Sequence, residues 1–173
     1  FYSPASPYAS LDWPSHVHLF TSGEMVAVPL PELNCTVYGR AFTAPHQDKS
    51  PLEGFFAAGE GIRLGCLHGD VAPQSRYGPI TQEEIAASGL HYLALGHIHQ
   101  GSGLQRAGDV YWAYPGCPEG RGFDELGEKG ILYLEVDETA AAAQFIPLCL
   151  RRYESLTVDI TGRSPLGAVR SAL

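Results

Sequence analysis

The 173-residue sequence predicts an α+β (mixed α/β) domain made mostly of short strands around one strand–helix–strand unit. Brief apolar runs recur between clusters of Gly, Pro, Asn and Asp, the pattern of strands joined by turns. One helix signal stands between two such runs, and each of those runs ends in histidine. Apolar residues make up 45% of the chain and charged residues 17%, a composition that can bury a core and is not that of a disordered chain.

The order of elements follows from local chemistry. Residues 1–16 contain Pro4, Pro7 and Pro14, too many breakers for a helix or a long strand, and read as a lead-in. Val17–Phe20, Met25–Leu30 and Cys35–Phe42 read as strands in meander, separated by turn-forming residues. Residues 43–61 read as a loop with at most two helical turns. Ile62–Leu67 is a short buried strand that runs into His68-Gly69-Asp70. Thr81-Gln82-Glu83-Glu84 has capping-box spacing and starts a helix over about 82–88, which Gly89 stops. Tyr92–Leu95 is the next strand and runs into Gly96-His97-Ile98-His99. Beyond it, Leu104–Arg106 and Val110–Tyr114 form a hairpin, Pro115–Lys129 a loop, and Gly130–Val136 a strand. Ala140–Leu150 suits an edge strand because of Pro147, and Leu156–Thr161 alternates as a half-buried strand.

A strand–helix–strand crossover joins parallel strands, so His68 and the His97/His99 pair should emerge at one rim of the sheet. Ligand sites in such sheets gather beyond the carboxyl ends of the strands. Residues i and i+2 on extended backbone project to one side, so His97 and His99 suit metal ligation, and His68 on the same rim makes three imidazoles. His16, His18, His46 and His91 lack such company and read as solvated or capping groups. Asp70 and Asp109 lie near the rim as ligands, supporting partners or plain turn residues. Arg121, in the Gly-rich loop, is a candidate phosphate clamp or the partner of a neighbouring acid. Gly59–Gly65 precedes a strand, so it is no phosphate-binding loop.

Several function classes drop out. The net charge is −8 and the first 39 residues hold no Lys or Arg, the wrong sign for a free-standing module bound to nucleic acid by counterion release. The four cysteines, Cys35, Cys66, Cys117 and Cys149, show no CxxC spacing and read as buried or half-buried thiols in a reducing, cytoplasmic setting. Neither a signal peptide nor a membrane-length apolar run is present.

With His68-Gly69, Tyr92 to His99, the Tyr114-Pro115-Gly116 turn running to Gly120-Arg121 and Glu125, Lys129-Gly130, and Ser6-Pro7-Tyr8 through Leu11-Asp12-Trp13-Pro14, the sequence resembles calcineurin-like metallophosphoesterases of the SbcD-like and YhaO-like DNA repair exonuclease branch. Cys117 stands where relatives tend to carry Ser. The resemblance implies a two-metal phosphodiesterase, with manganese as the usual metal, in which His68 and His97 serve one ion and His99 the other. It also implies DNA as substrate, docking on an SMC-like ATPase, and the second-sheet half of a four-layer αββα sandwich over 1–161, with 162–173 a tail or the start of a following segment.

The family's earlier motifs, Asp-x-His, a bridging Asp after Gly, and Gly-Asn-His, are missing. Asn34 is the sole asparagine, and the Gly-Asp pairs at 69–70 and 108–109 both follow the strands of the first half. The expectation is a carboxyl-terminal portion, inactive alone, with partial or no metal occupancy and an apolar sheet face open to self-association. The contrasting expectations are a mononuclear zinc hydrolase using His68, His97 and His99, and a noncatalytic module that docks on the ATPase.

Overall fold

The computed structural model describes residues 2–159, 161, 162, 167 and 170. A six-stranded mixed sheet and a separate two-stranded hairpin dominate it. Across the large sheet lie β1 (Val26–Leu30), β2 (Cys35–Gly39), β3 (Ile62–His68), β4 (Tyr92–Gly96), β6 (Val110–Ala113) and β5 (Gln105–Ala107). β2, β3, β4 and β6 run parallel, while β1 and β5 close the two edges antiparallel. Pro29 is tolerated because β1 is an edge strand. The hairpin pairs β7 (Gly130–Val136) with β8 (Ala141–Pro147), and Pro147 falls at the last rung, opposite Gly130.

Register divides the sheet into two faces. Gly65, Leu93 and Trp112 align across β3, β4 and β6, with Leu67 beside Leu95 one rung further on. This face is buried beneath Ile80, Leu90 and Ile85, the last carried by α2 (Gln82–Ala87). Thr81 caps α2, its Oγ accepting the Glu84 N–H while the Glu84 carboxylate accepts the Thr81 N–H. Gly65 lets Leu90 and Leu93 pack directly on the strand: a Cβ there would meet their methyls at 2.7 Å and push them aside. The opposite face carries Val37, Leu64, Cys66 and Ala94 in successive rungs and is only partly covered, in part by Leu134 and Val136 of β7. Cys66 is exposed there, contrary to the expectation of a buried or half-buried thiol.

Three local readings are corrected. Val17–Phe20 is not a strand; the Phe20 ring lies against Gly39, so the segment packs on the end of β2 instead of pairing along it. The prolines at the start do not preclude a helix, because Pro7 occupies the first position of a one-turn helix, α1 (Pro7–Ser10), capped by Ser6. Residues 156–159 are irregular and Leu156 is exposed: alternation alone, without pairing to another strand, makes no strand. Ile160 and most of the 162–173 tail lie outside the described residues. No helix among the described residues is long and apolar enough to cross a membrane.

His91, the residue before β4, is more than a solvated group. Its Nδ1 accepts the Arg63 backbone N–H at 2.9 Å, tying the entry of β4 to β3. Partial burial, then the Arg63 charge, lowers its pKa. The unfolded chain therefore takes up this proton more readily than the folded one, so the contribution is intact above about pH 6.5 and is lost as pH falls through the lowered value. His91→Asn keeps an acceptor and removes the titration. Urea unfolding of this variant should show a shallower loss of stability between about pH 7 and 5 than the parent; an unchanged or steeper acid limb would contradict the assignment.

Candidate metal centre

β3 and β4 run parallel in a register that pairs His68 with Gly96, the last residues of the two strands. Gly69 N–H continues the ladder to the Gly96 carbonyl at 3.1 Å. His97 therefore starts one residue beyond the rung that holds His68. Its Nδ1 stands 3.2 Å from His68 Nε2. Two imidazole nitrogens bound at about 2.0–2.1 Å to one tetrahedral ion would be about 3.3 Å apart. The pair has the bite of two ligands of a single ion.

The pair is held by rings on both sides. Phe42 meets His68 edge-on at 5.1 Å, Tyr77 stacks on His97 at 5.0 Å, and the tilted His46 ring packs against Tyr77 at 5.2 Å. His97 adopts φ 119°, a conformation that costs a non-glycine residue about 1–3 kcal/mol. That strain turns its ring toward His68 where the strand ends. Burial first, then the nearby His97 and His99 charges, lower the His68 pKa. A neutral imidazole with its lone pair free is the metal-binding form.

His99 sits apart from the pair. Its Nδ1 contacts Glu125 Oε1, and Glu125 is only 7% exposed. The Glu125 carboxyl is held below the usual range, first by the Arg121 backbone N–H at 2.7 Å and next by His99. An ionised Glu125 keeps the His99 hydrogen on Nδ1 and the lone pair on Nε2, and the ring is half exposed. A carboxylate behind an imidazole is the usual support of a metal-ligating histidine. Cys117 completes a compact group: one donor atom each from His99, Cys117 and Glu125 lie within 4.8 Å of one another. His68, His97 and His99 form no such single group among the described residues.

Of the other candidates, Arg121 is exposed and contributes its backbone N–H, while its guanidinium joins no ion pair among the described residues. Asp109 pairs with Arg106 at 2.8 Å in the hairpin turn. Asp70 binds Gly78 and Ile80 through its backbone. Sequence reasoning gave no chemical role to Glu125, Cys117, Tyr77, Lys129 or Tyr114. Lys129 is buried and its Nζ donates to the His99 carbonyl and Gln100 Oε1, both at 3.4 Å. The Tyr114 hydroxyl donates to the Gly69 carbonyl at 2.8 Å and accepts the Val71 N–H at 2.9 Å. A Gly-rich loop following a strand, and the place of Glu125 and Cys117 in the family resemblance, marked this segment, but neither says which residue turns inward. Beside His68 lies a cavity of about 310 Å³ walled by Tyr2, Tyr8, Leu19, Phe20 and Phe42.

No family model matches the sequence. The chain is 26% identical to the "Uncharacterized metallophosphoesterase YhaO" of Bacillus subtilis (strain 168), over 89% of this chain and 39% of that protein. This chain is its distant homologue. It spans about two fifths of that relative's length. Homology to part of a metallophosphoesterase implies metal ions.

Tyr114 gives the first test of how the rim is held. Burial raises its pKa to about 12, so it remains a hydrogen-bond donor. Tyr114→Phe strips partners from the Gly69 carbonyl and the Val71 N–H just beyond His68. It should cost about 1–3 kcal/mol in urea unfolding; a change within a few tenths of a kcal/mol would show that the hydroxyl does not anchor the loop.

Proposed function

We propose that this chain is part of a metal-dependent phosphodiesterase, a DNA repair exonuclease, in which His68 and His97 bind one ion and His99 the other. The observation that carries this is the 3.2 Å approach of His68 Nε2 and His97 Nδ1 at adjacent parallel strand ends. His99, its lone pair aimed away from Glu125, supplies a donor displaced from that pair, as a two-ion cage requires. When bound, a pair of divalent ions such as manganese would activate a bridging water and stabilise the charge on the phosphoryl oxygens. The chain's own residues contribute neutral imidazoles, the Glu125 support and the ring stack that keeps His97 in place.

The cage needs more ligands than these. Asp-x-His and Gly-Asn-His do not occur in the 173 residues, so the remaining ligands must come from another segment, and the chain alone should be inactive. The partly covered sheet face bearing Val37, Leu64, Cys66 and Ala94 is the surface on which that segment, or a second copy, would pack. The acidic balance suits a nuclease that engages phosphate through its ions. Docking on an SMC-like ATPase belongs to the same reading. A mononuclear three-histidine zinc site fits less well, because the three rings do not form one compact donor group.

Calorimetric titration with manganese separates these readings. The chain should bind the ion weakly, binding should be lost in both His68→Ala and His97→Ala, and a phosphodiester such as bis-p-nitrophenyl phosphate should not be turned over. Joining the chain to an upstream segment that carries Asp-x-His and Gly-Asn-His should give manganese-dependent hydrolysis. Unchanged manganese binding in both variants, or sustained turnover by the 173-residue chain alone, would overturn the proposal.

A further inference from the structure

The geometry points to a second kind of metal site: Cys117, His99 and Glu125 together form a site for a thiophilic divalent cation such as zinc. It is independent of whether His68 and His97 bind ions. A thiolate, an imidazole and a carboxylate are a donor set that zinc accepts, whereas manganese and magnesium disfavour the thiolate. Three protein ligands leave a fourth position for water.

The three donors are gathered before any ion arrives. They lie within 4.8 Å of one another. Donors around a tetrahedral zinc stand about 3.3–3.7 Å apart, so side-chain rotations moving these atoms by about an ångström would close the site. The backbone already joins the two loops involved, since Cys117 N–H donates to the His99 carbonyl at 3.3 Å. Gly116, at φ 82°, lets the loops meet: a Cβ there would fall 2.9 Å from the His99 carbonyl oxygen. Glu125 is positioned by the Arg121 N–H, which its Oε2 accepts at 2.7 Å, so its Oε1 is left facing the imidazole, where an ion would be received.

The protons balance. The Cys117 thiol releases its proton to solvent as the sulfur binds, and the His99 hydrogen passes from Nδ1 to Nε2, leaving the Nδ1 lone pair to the ion. One proton is released for each ion bound. His99 Nε2 then carries a hydrogen and has no lone pair to offer elsewhere, so a thiophilic ion here takes His99 away from the role proposed above.

Cobalt titration of the reduced, folded 173-residue chain tests this. One equivalent of cobalt should produce the near-ultraviolet thiolate-to-cobalt charge-transfer band, and one equivalent of zinc should abolish it. Cys117→Ser should lose the band. Glu125→Gln should weaken cobalt binding on the order of 10–100-fold. The band should survive both in a His68→Ala/His97→Ala variant and in a chain in which Cys35, Cys66 and Cys149 are serine. Far-ultraviolet circular dichroism confirms that each variant is folded, and the triple-serine chain supplies the reading if Cys117→Ser is not. No band in the folded parent, a band that persists without Cys117, or a band that disappears with His68 and His97 would each overturn the assignment.

Discussion

The parallel pairing of β3 with β4 in one particular register is the constraint on which the rest depends. Because His68 pairs with Gly96, the two chains leave the sheet on the same rung, and the next residue after Gly96 is His97. A slip of one residue would turn His68 to the opposite face of the sheet. The register is held from below by Leu90 and Leu93, which pack directly over Gly65. It is held at the entry by His91 and Arg63, and at the exit by Tyr114 bonding Gly69 and Val71. Core burial thus sets a distance of 3.2 Å between two ring nitrogens that stand outside the core.

Electrostatics then sorts the imidazoles. His68, beside two other histidines at the rim, is driven toward the neutral state by desolvation and by its neighbours' charge. His99 has a different neighbour: the nearly buried Glu125 carboxylate sits on its Nδ1. The same three-residue motif therefore presents one ring arranged as a member of a pair and another arranged as a carboxylate-supported single donor. A chain of rings from His46 through Tyr77 and His97 to His68 and Phe42 resists rotation of the pair.

The parts legible in the sequence were those set by local signals. Thr81 and Glu84 announce α2, and the apolar runs at Ile62 and Tyr92, each ending in histidine, announce the parallel strands and their common rim. What local pattern cannot carry is a partner. Leu156 and Val158 alternate like a strand but join none, and Val17–Phe20 is apolar because Phe20 packs against Gly39. Pro7 reads as a breaker until Ser6 is seen to cap it. Glu125 lies 26 residues beyond His99 on another loop, and its role depends on a turn at Gly116 that brings the two loops together. The same loop closure brings in Cys117, which the family resemblance marked only as a minor departure from serine.

That closure explains why a single substitution at position 117 has chemical weight. Serine there would offer a hydroxyl, a poor ligand at neutral pH, and the His99–Glu125 pair would remain an orienting device. Cysteine in the same place adds a donor that ionises on contact with a soft cation, so the identical backbone becomes capable of holding an ion of its own. Nothing in the sheet or the loop has to change for this: the distances are imposed by Gly116 and by the Cys117 N–H bonded to the His99 carbonyl. The chemistry of the rim is then decided by which nitrogen of His99 keeps its hydrogen, and Glu125 holds that hydrogen on Nδ1 until a metal displaces it.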